Sequence, residues 1–87
     1  MFARIVGVGA HLPGSPISND DLVRRGVATT DEWIFSRTGI RTRHLAEAAC
    51  ASSDLAFEAS RRALEVAGTE ASELDLIVVA TTTPDFI

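Results

Sequence analysis

The sequence lacks the features that mark membrane and secreted proteins. It has a single cysteine, so no internal disulfide can form, which fits a reducing compartment and makes the cytoplasm the expected location. Its longest uncharged apolar run is LIVVA at 76–80, far short of the roughly 20 residues that cross a bilayer. The N-terminal stretch is broken by glycines and lacks a small-residue cleavage site, so no signal peptide is predicted.

Lysine is also absent, and all eight basic residues are arginine. The formal net charge of −4 argues against a nucleic-acid partner. The stretch from Trp33 to His44 departs from this acidic balance, because it holds three arginines and no acid. A ligand or partner with negative charge would be drawn to this stretch.

Length and hydropathy limit the fold class. A chain of 87 residues supports at most one small domain. Such a chain buries only roughly 60% of its unfolded surface, so its stability alone would be marginal. The apolar fraction of 46% is nevertheless too high for a disordered chain.

Helix signals occur in three segments, each with capping residues before it and a glycine after it. The segments are SNDDLVRRG at 18–26, TTDEWIFSRTG at 29–39 and SSDLAFEASRRALEVAG at 52–68. The N-cap candidates are Ser18, Asn19 or Asp20 for the first, Thr29 or Thr30 for the second, and Ser52 or Ser53 for the third. The third helix carries a stripe of alanine and leucine, which predicts close packing against a sheet or another helix.

Strand signals occur at Arg4–Ala10 and in LDLIVVATTTPD at 74–85, with a short extended segment in IRTRHLA at 40–46. The run at 76–80 is apolar without alternation, which is typical of a central strand covered by helices on both faces. One long helix cannot cover two faces. The pattern therefore predicts only the first part of an α/β domain, with two to three strands and three helices.

Several of these segments together resemble a known family. IVGVGAHLP, SNDDL, TTDEWIFSRTGIRTRH, the alanine-rich helix and DLIVVATTTPD resemble, in order, the N-terminus of 3-oxoacyl-[acyl-carrier-protein] synthase III. The resemblance implies a thiolase-like fold, of which residues 1–87 would be the first part of the N-terminal half. It implies that the intact enzyme begins fatty-acid synthesis by decarboxylative Claisen condensation of acyl-CoA, with acetyl-CoA as the expected primer, with malonyl-acyl-carrier protein.

The resemblance also implies a site for coenzyme A. Trp33 and Arg37 are four residues apart and share a helix face, where an indole can stack on adenine and a guanidinium can bind phosphate. The family places the nucleotide of CoA against the matching positions, with Thr29 nearby. From the residues alone, the alternative is that Trp33 anchors a small core while Arg37 pairs with an acid or with nothing.

Arg41 and Arg43 extend the positive stretch and are candidates for contact with phosphate or an acidic carrier protein. The equal alternative is a solvated strand edge that arginines protect from pairing. The threonines from Thr81 to Thr83 follow a strand, where α/β proteins bind ligands, but hydroxyls there commonly satisfy backbone groups instead.

No catalytic residue is predicted. The family's nucleophilic cysteine, histidine and asparagine lie outside the matching segment, so Cys50 is interpreted as incidental, although it precedes a helix. His11 and His44 are interpreted as structural, and their spacing gives no metal site. The glycines of GVGAHLPG lack the dinucleotide-loop spacing.

The resemblance thus implies acyl-CoA as a substrate, no separate cofactor, a homodimeric intact enzyme and an isolated chain without activity. Two alternatives remain. The chain could be a non-catalytic fragment or interaction module, or part of a sibling enzyme such as a polyketide starter synthase or transacylase.

Overall fold

The computed structural model describes residues 2 to 86. Their contacts form two groups, one made of residues 13–47 and the other of residues 2–12 with 48–86. Within residues 2 to 86, none of the helices has the length and apolar character that a membrane-crossing segment needs.

The group at 13–47 contains two helices and a small sheet. Strand β1 (Ile17–Ser18) leads into helix α1 (Asn19–Arg24), helix α2 (Asp31–Thr38) follows, and strand β2 (Thr42–Arg43) comes last. The strands are antiparallel, with Ile17 opposite Arg43. The short extended segment predicted at 40–46 is therefore confirmed as a two-residue strand.

Ser18 is the N-cap of α1, which decides among the three candidate residues. Its hydroxyl accepts a hydrogen bond from the backbone N–H of Asp21 at 3.1 Å, and the Asp21 carboxylate accepts one from the Ser18 N–H at 3.0 Å. This reciprocal pair is a capping box. The backbone N–H of Ser18, followed by the guanidinium of Arg24, lowers the pKa of Asp21 from 3.8 to about 2.

Helix α2 has both of the ends that the sequence predicts. Thr30 is its N-cap, and the Thr30 hydroxyl accepts a hydrogen bond from the Trp33 N–H at 3.1 Å. Gly39 ends the helix with φ of 70°, a left-handed conformation that glycine adopts without steric cost. Thr38 adds a bond from its hydroxyl to the Ile34 carbonyl at 2.7 Å.

Helix α3 (Ser52–Ala67) belongs to the other group and ends at Gly68, as predicted. The prediction of a serine N-cap is wrong, because Ala51 occupies that position. The Asp54 carboxylate accepts from the Ala51 N–H at 2.8 Å, which replaces a serine cap. The hydroxyls of Ser52 and Ser53 bond instead to Thr83 and Asp85.

The alanine stripe of α3 packs against the N-terminal segment. A Cβ added to Gly7 would lie 2.6 Å from the Ala63 carbonyl oxygen, and one added to Gly9 would lie 2.5 Å from the Ala63 nitrogen. Both distances are shorter than real Cβ atoms show, so the two backbones are in direct contact. The close packing predicted from the alanines is confirmed, but the partner is a segment without regular secondary structure rather than the predicted sheet or second helix.

The longer strand predictions, at Arg4–Ala10 and 74–85, are wrong for the described residues. The one sheet found within 2–86 is the β1–β2 pair. An apolar segment becomes a strand only when a second segment pairs with its backbone, and neither of these segments has such a partner in the described chain. Their side chains are correspondingly exposed, with Ile5 at 85% and Val78 at 82%.

Candidate functional site: a groove beside Trp33

A groove of about 490 Å³ lies where the loop after α1 enters α2. Its lining consists of Val27, Ala28, Thr29, Thr30, Trp33 and Ile34. Most of this lining is apolar, and the two threonines supply hydroxyl groups. The groove therefore suits a flat or apolar group with a few polar atoms.

Trp33 lies on the first part of α2 and is 55% exposed. The ring is therefore available at the surface, and the alternative in which Trp33 anchors a core does not describe this geometry. The Arg37 guanidinium carbon lies 5.3 Å from the centre of the indole ring, within cation–π range. The i, i+4 spacing predicted from the sequence thus brings the two side chains together.

Arg37 makes no ion pair with any residue of the described part of the chain. Two acids could have paired with it, Asp31 and Glu32. Glu32 makes no ion pair within residues 2–86, and Asp31 contacts other groups. Asp31 accepts a hydrogen bond from the Asn19 amide at 2.8 Å and lies 3.7 Å from the Arg41 guanidinium. The Arg37 charge therefore faces solvent beside an exposed aromatic ring.

Thr29 is one of the residues that line the groove. Its Oγ1 atom is buried and has no hydrogen-bond partner within residues 2–86. A buried hydroxyl without a partner is costly, so a polar ligand atom there would be stabilised. Thr30, the other candidate cap, uses its hydroxyl on the helix and leaves Thr29 free for this role.

Arg41 and Arg43 differ in their surroundings. The Arg41 side chain is 63% exposed, and its guanidinium carbon lies 3.7 Å from the centre of the Phe35 ring. Arg43 is half-buried, donates to the Ile17 carbonyl at 3.1 Å and also donates to the Asn19 side chain. Arg41 is thus the more accessible cation, whereas the hydrogen bonds of Arg43 connect β2 to β1 and α1.

Cys50 and the two histidines are not brought together by hydrogen bonds. The Cys50 sulfur makes a weak contact of 3.8 Å with the Ala51 carbonyl oxygen. His44 Nδ1 lies 2.9 Å from the Pro13 carbonyl oxygen, and His11 Nδ1 is buried without a partner in the described chain. Among residues 2–86, no group of three His, Cys, Asp or Glu side chains is placed to bind a metal ion.

The threonines that follow the second apolar segment bond mainly to nearby groups. The Thr83 N–H donates to the Thr81 hydroxyl at 3.1 Å, and the Thr83 carbonyl accepts from Ser52. These bonds correspond to the alternative in which the hydroxyls satisfy backbone groups. The neighbouring Asp85 has a lowered pKa because the Ser53 hydroxyl and then the Ser53 N–H donate to it.

Asn19 is the residue that sequence reasoning missed. It was considered only as one of three possible caps for α1, yet it is the one fully buried residue in the described chain. Its amide contacts the first residue of α2 and the segment after that helix. The sequence around it carries no signal of this burial, because asparagine is a common residue at the start of a helix.

Comparison with known proteins shows close relatives. The chain is 55% identical over all 87 residues to beta-ketoacyl-[acyl-carrier-protein] synthase III of Xanthomonas oryzae pv. oryzae, and covers 26% of that protein. Its structure matches 3-oxoacyl-(acyl carrier protein) synthase III of Pseudomonas aeruginosa PAO1 with a TM-score of 0.76 and 44% identity, over 93% of this chain and 24% of that one. No model of a protein family matches the chain.

Two further structures are similar. The synthase III of Aquifex aeolicus VF5 matches with a TM-score of 0.72 and 39% identity, over 83% of this chain and 23% of that one. The priming beta-ketosynthase of the R1128 polyketide pathway matches with a TM-score of 0.76 and 38% identity, over 93% of this chain and 25% of that one.

The helices and the small sheet therefore belong to a thiolase-like α/β fold. Within that class, the resemblance to 3-oxoacyl-[acyl-carrier-protein] synthase III is confirmed over the whole of this chain. The chain spans about a quarter of the length of the relatives that it matches.

Proposed function

We propose that this chain is a portion of a condensing enzyme that begins fatty-acid synthesis. The reaction joins an acyl group from acyl-CoA, with acetyl-CoA as the expected primer, to malonyl-acyl-carrier protein with loss of carbon dioxide. The proposal is supported by 55% identity to a beta-ketoacyl-[acyl-carrier-protein] synthase III and by the fold match to a second one at a TM-score of 0.76. Residues 1–87 would form one portion of a larger thiolase-like domain.

The part of this function that we assign to the chain is the CoA entrance. One observation carries the assignment: an exposed indole at Trp33 and an unpaired guanidinium at Arg37 lie side by side at the edge of an apolar groove. Adenine would lie against the indole, and the phosphates of CoA would pair with Arg37. Arg37 is not part of the groove lining, so a base held in the groove need not displace it.

The expected strength of each contact follows from its chemistry. Stacking of a base on an aromatic side chain contributes about 1–3 kcal/mol. A hydrogen bond to a charged group contributes about 1.5–3 kcal/mol. Thr29 also lines the groove, and its buried hydroxyl would bond to the nucleotide only after a local movement. Together these contacts would hold the nucleotide half of CoA, while the acylated end extends away from it.

The partners of the intact enzyme follow from the same proposal. Acyl-CoA and malonyl-acyl-carrier protein are its substrates, no cofactor besides these is needed, and the enzyme acts as a homodimer in the cytoplasm. Arg41, which is exposed and contacts Asp31 and Phe35 of α2, is the better candidate for contact with phosphate or with an acidic carrier protein. Arg43 is a weaker candidate because Ile17 and Asn19 accept its hydrogen bonds.

The isolated chain is expected to bind CoA without catalysis. Cys50 has no histidine hydrogen-bonded to it in the described chain, so nothing activates its thiol. Incubation with radiolabelled acetyl-CoA should leave the protein unlabelled. A covalent acetyl group mapped to Cys50 would contradict this part of the proposal.

Fluorescence of the single tryptophan provides the test of binding. Coenzyme A and adenosine 3′,5′-bisphosphate, its nucleotide half, should both quench Trp33 emission in the 87-residue chain, whereas pantetheine should not. Arg37→Ala should weaken CoA binding by about 10- to 150-fold, because a charge-assisted contact is lost.

Arg25→Ala is the matched control. Arg25 is exposed and is not among the residues that line the groove, so this variant removes the same charge without removing the proposed contact. It should change CoA affinity by less than about threefold, through long-range charge alone. Equal losses of CoA affinity in Arg37→Ala and Arg25→Ala would show that binding is non-specific. If pantetheine quenched Trp33 and the nucleotide did not, the nucleotide would not lie against Trp33.

A second candidate function is the priming of polyketide synthesis. It is favoured by the match to a priming beta-ketosynthase at a TM-score of 0.76. Both functions use the same CoA entrance, so the binding test does not separate them. An assay of the complete enzyme does: condensation with the malonyl-acyl-carrier protein of fatty-acid synthesis supports the first role, and condensation only with a carrier protein of a polyketide pathway supports the second.

A further inference from the structure

Asn19 is fully buried at the start of α1, although its side chain is polar. A buried amide is tolerated only when its donors and acceptor all have partners. In this chain each of them does. The residue therefore has a demanding structural environment that an apolar or charged side chain would not fit.

The hydrogen bonds of Asn19 reach both ends of α2. Its Nδ2 atom donates to Asp31 Oδ1 at 2.8 Å, on the first residue of the helix, and to the Ile40 carbonyl at 2.8 Å, just after the helix ends. Its Oδ1 atom accepts from the Arg43 guanidinium, and its backbone N–H donates to the Arg41 carbonyl at 3.0 Å.

We infer that Asn19 is a positioning residue for the proposed nucleotide site, because its single amide fixes both ends of the helix that carries Trp33 and Arg37. The inference rests on the proposed function for its ligand, but the positioning itself is independent of any ligand. Asn19 touches neither the groove lining nor the indole, so it acts through α2.

The geometry requires an amide at this position. Aspartate would place an oxygen where Nδ2 now faces two acceptors, the Asp31 carboxylate and the Ile40 carbonyl. Two carboxylates at hydrogen-bond distance can stay together only if they share a proton, which raises the pKa of the pair. The charged groups that face the pair are Arg43 from β2, which can bond to aspartate as it does to asparagine, and Arg41, whose guanidinium lies 3.7 Å from the Asp31 carboxylate. Both cations favour the ionised form and so oppose part of the rise in the pKa of the pair.

Asn19→Asp is therefore a test with a specific pH profile. At pH 8 the ionised pair should separate and displace α2, and CoA affinity should fall by about tenfold relative to wild type. At pH 5 the shared proton should restore the helix, so the ratio to wild type should be within about threefold. Comparison with wild type at each pH removes the titration of the CoA phosphates themselves.

The double variant Asn19→Asp with Asp31→Asn supplies a rescue. The asparagine at 31 can donate to the new carboxylate, so CoA affinity at pH 8 should recover compared with Asn19→Asp alone. Asp31→Asn alone is the control for loss of the acid in the first turn of α2. If Asn19→Asp acted only by a general loss of stability, the second substitution, which places the amide at position 31, would not restore CoA affinity.

Amide resonances of residues 31–39 and the Trp33 indole N–H, recorded without ligand, separate this inference from the proposed function. If wild type does not bind CoA, the proposed function fails, while a pH-reversible displacement of α2 in Asn19→Asp still supports the positioning role. Unchanged resonances in Asn19→Asp at pH 8 would overturn the inference whatever the CoA result. A variant that remains unfolded at both pH values and in the double variant would also overturn it.

Discussion

Replacement of Gly9 by alanine tests the contact between the N-terminal segment and α3. A Cβ at this position would lie 2.4 Å from the Ala59 carbonyl oxygen and 2.5 Å from the Ala63 nitrogen. Ordinary contact begins at 3.4 Å, so the segment and the helix would have to separate by about 1.0 Å. Both opposing atoms belong to the helix backbone and cannot be relieved by a change of rotamer.

The expected cost is that of overpacking, about 1–3 kcal/mol. Since each 1.4 kcal/mol corresponds to a factor of ten, local opening of α3 should become about 5- to 150-fold more frequent. Hydrogen exchange of the α3 amides, measured by mass spectrometry or NMR, reports this opening directly. The change should be confined to α3 and the segment that contacts it.

Ala10→Ser is the control for the Gly9 variant. Ala10 is the next residue and is exposed, so the added hydroxyl has room and exchange in α3 should change by about twofold or less. Exchange rates in Gly9→Ala that equal those of the control would refute the close approach. A wild-type α3 whose amides exchange as fast as in an unstructured peptide would refute the packing of this helix altogether.

Two further predictions concern the helix caps at 13–47. Thr30→Ala should destabilise α2 by about 1 kcal/mol, which would be measured as faster hydrogen exchange of the first amides of the helix. Thr30→Ser should retain the cap. Equal exchange rates in the two variants would contradict the hydrogen bond from the Trp33 N–H to the Thr30 hydroxyl. Asp21 has its pKa lowered to about 2, so the capping box stabilises α1 fully above about pH 4 and is lost as the pH falls through about 2. The NMR chemical shift of the Ser18 backbone amide should therefore titrate near pH 2 in wild type and stay constant in Asp21→Asn. A titration midpoint at pH 3.8 would contradict the lowered pKa of Asp21.

Helices were predictable here because their signals are local. The cap of α2, its acidic first turn and its stop at Gly39 lie within eleven consecutive residues, from 29 to 39, and the structure has each of them. The spacing of Trp33 and Arg37 follows from helix geometry alone. The serine cap of α3 was missed because Ser52 and Ser53 bond to residues about thirty positions away, which no local pattern shows.

The strands and the buried amide could not be predicted for a different reason. A strand depends on a partner, and the apolar segment around Val78 has none in the described chain, although its composition is typical of a central strand. Asn19 depends on three other segments that meet only after folding. Its residue type is common before helices, so the sequence around it favours a cap and gives no sign of burial.

The group at 13–47 contains the hydrogen bonds that hold its own helices, whereas the other group has apolar segments that lack a sheet. This difference bears on the proposed function. The hydrogen bonds that hold α2 come from Asn19, Ile40 and their neighbours, all within residues 13–47. The exposed apolar segments at 5–8 and 76–79 belong to the other group and have the composition of strands that need a sheet. Under the proposed function, nucleotide binding should therefore survive in this chain alone, whereas catalysis is expected to need the family's cysteine, histidine and asparagine, which the resemblance places outside the matching segment. We expect CoA to quench the Trp33 fluorescence of the 87-residue chain, and we expect the chain to show no acyl transfer. Acyl transfer without nucleotide binding would contradict both the predicted binding and the predicted lack of catalysis.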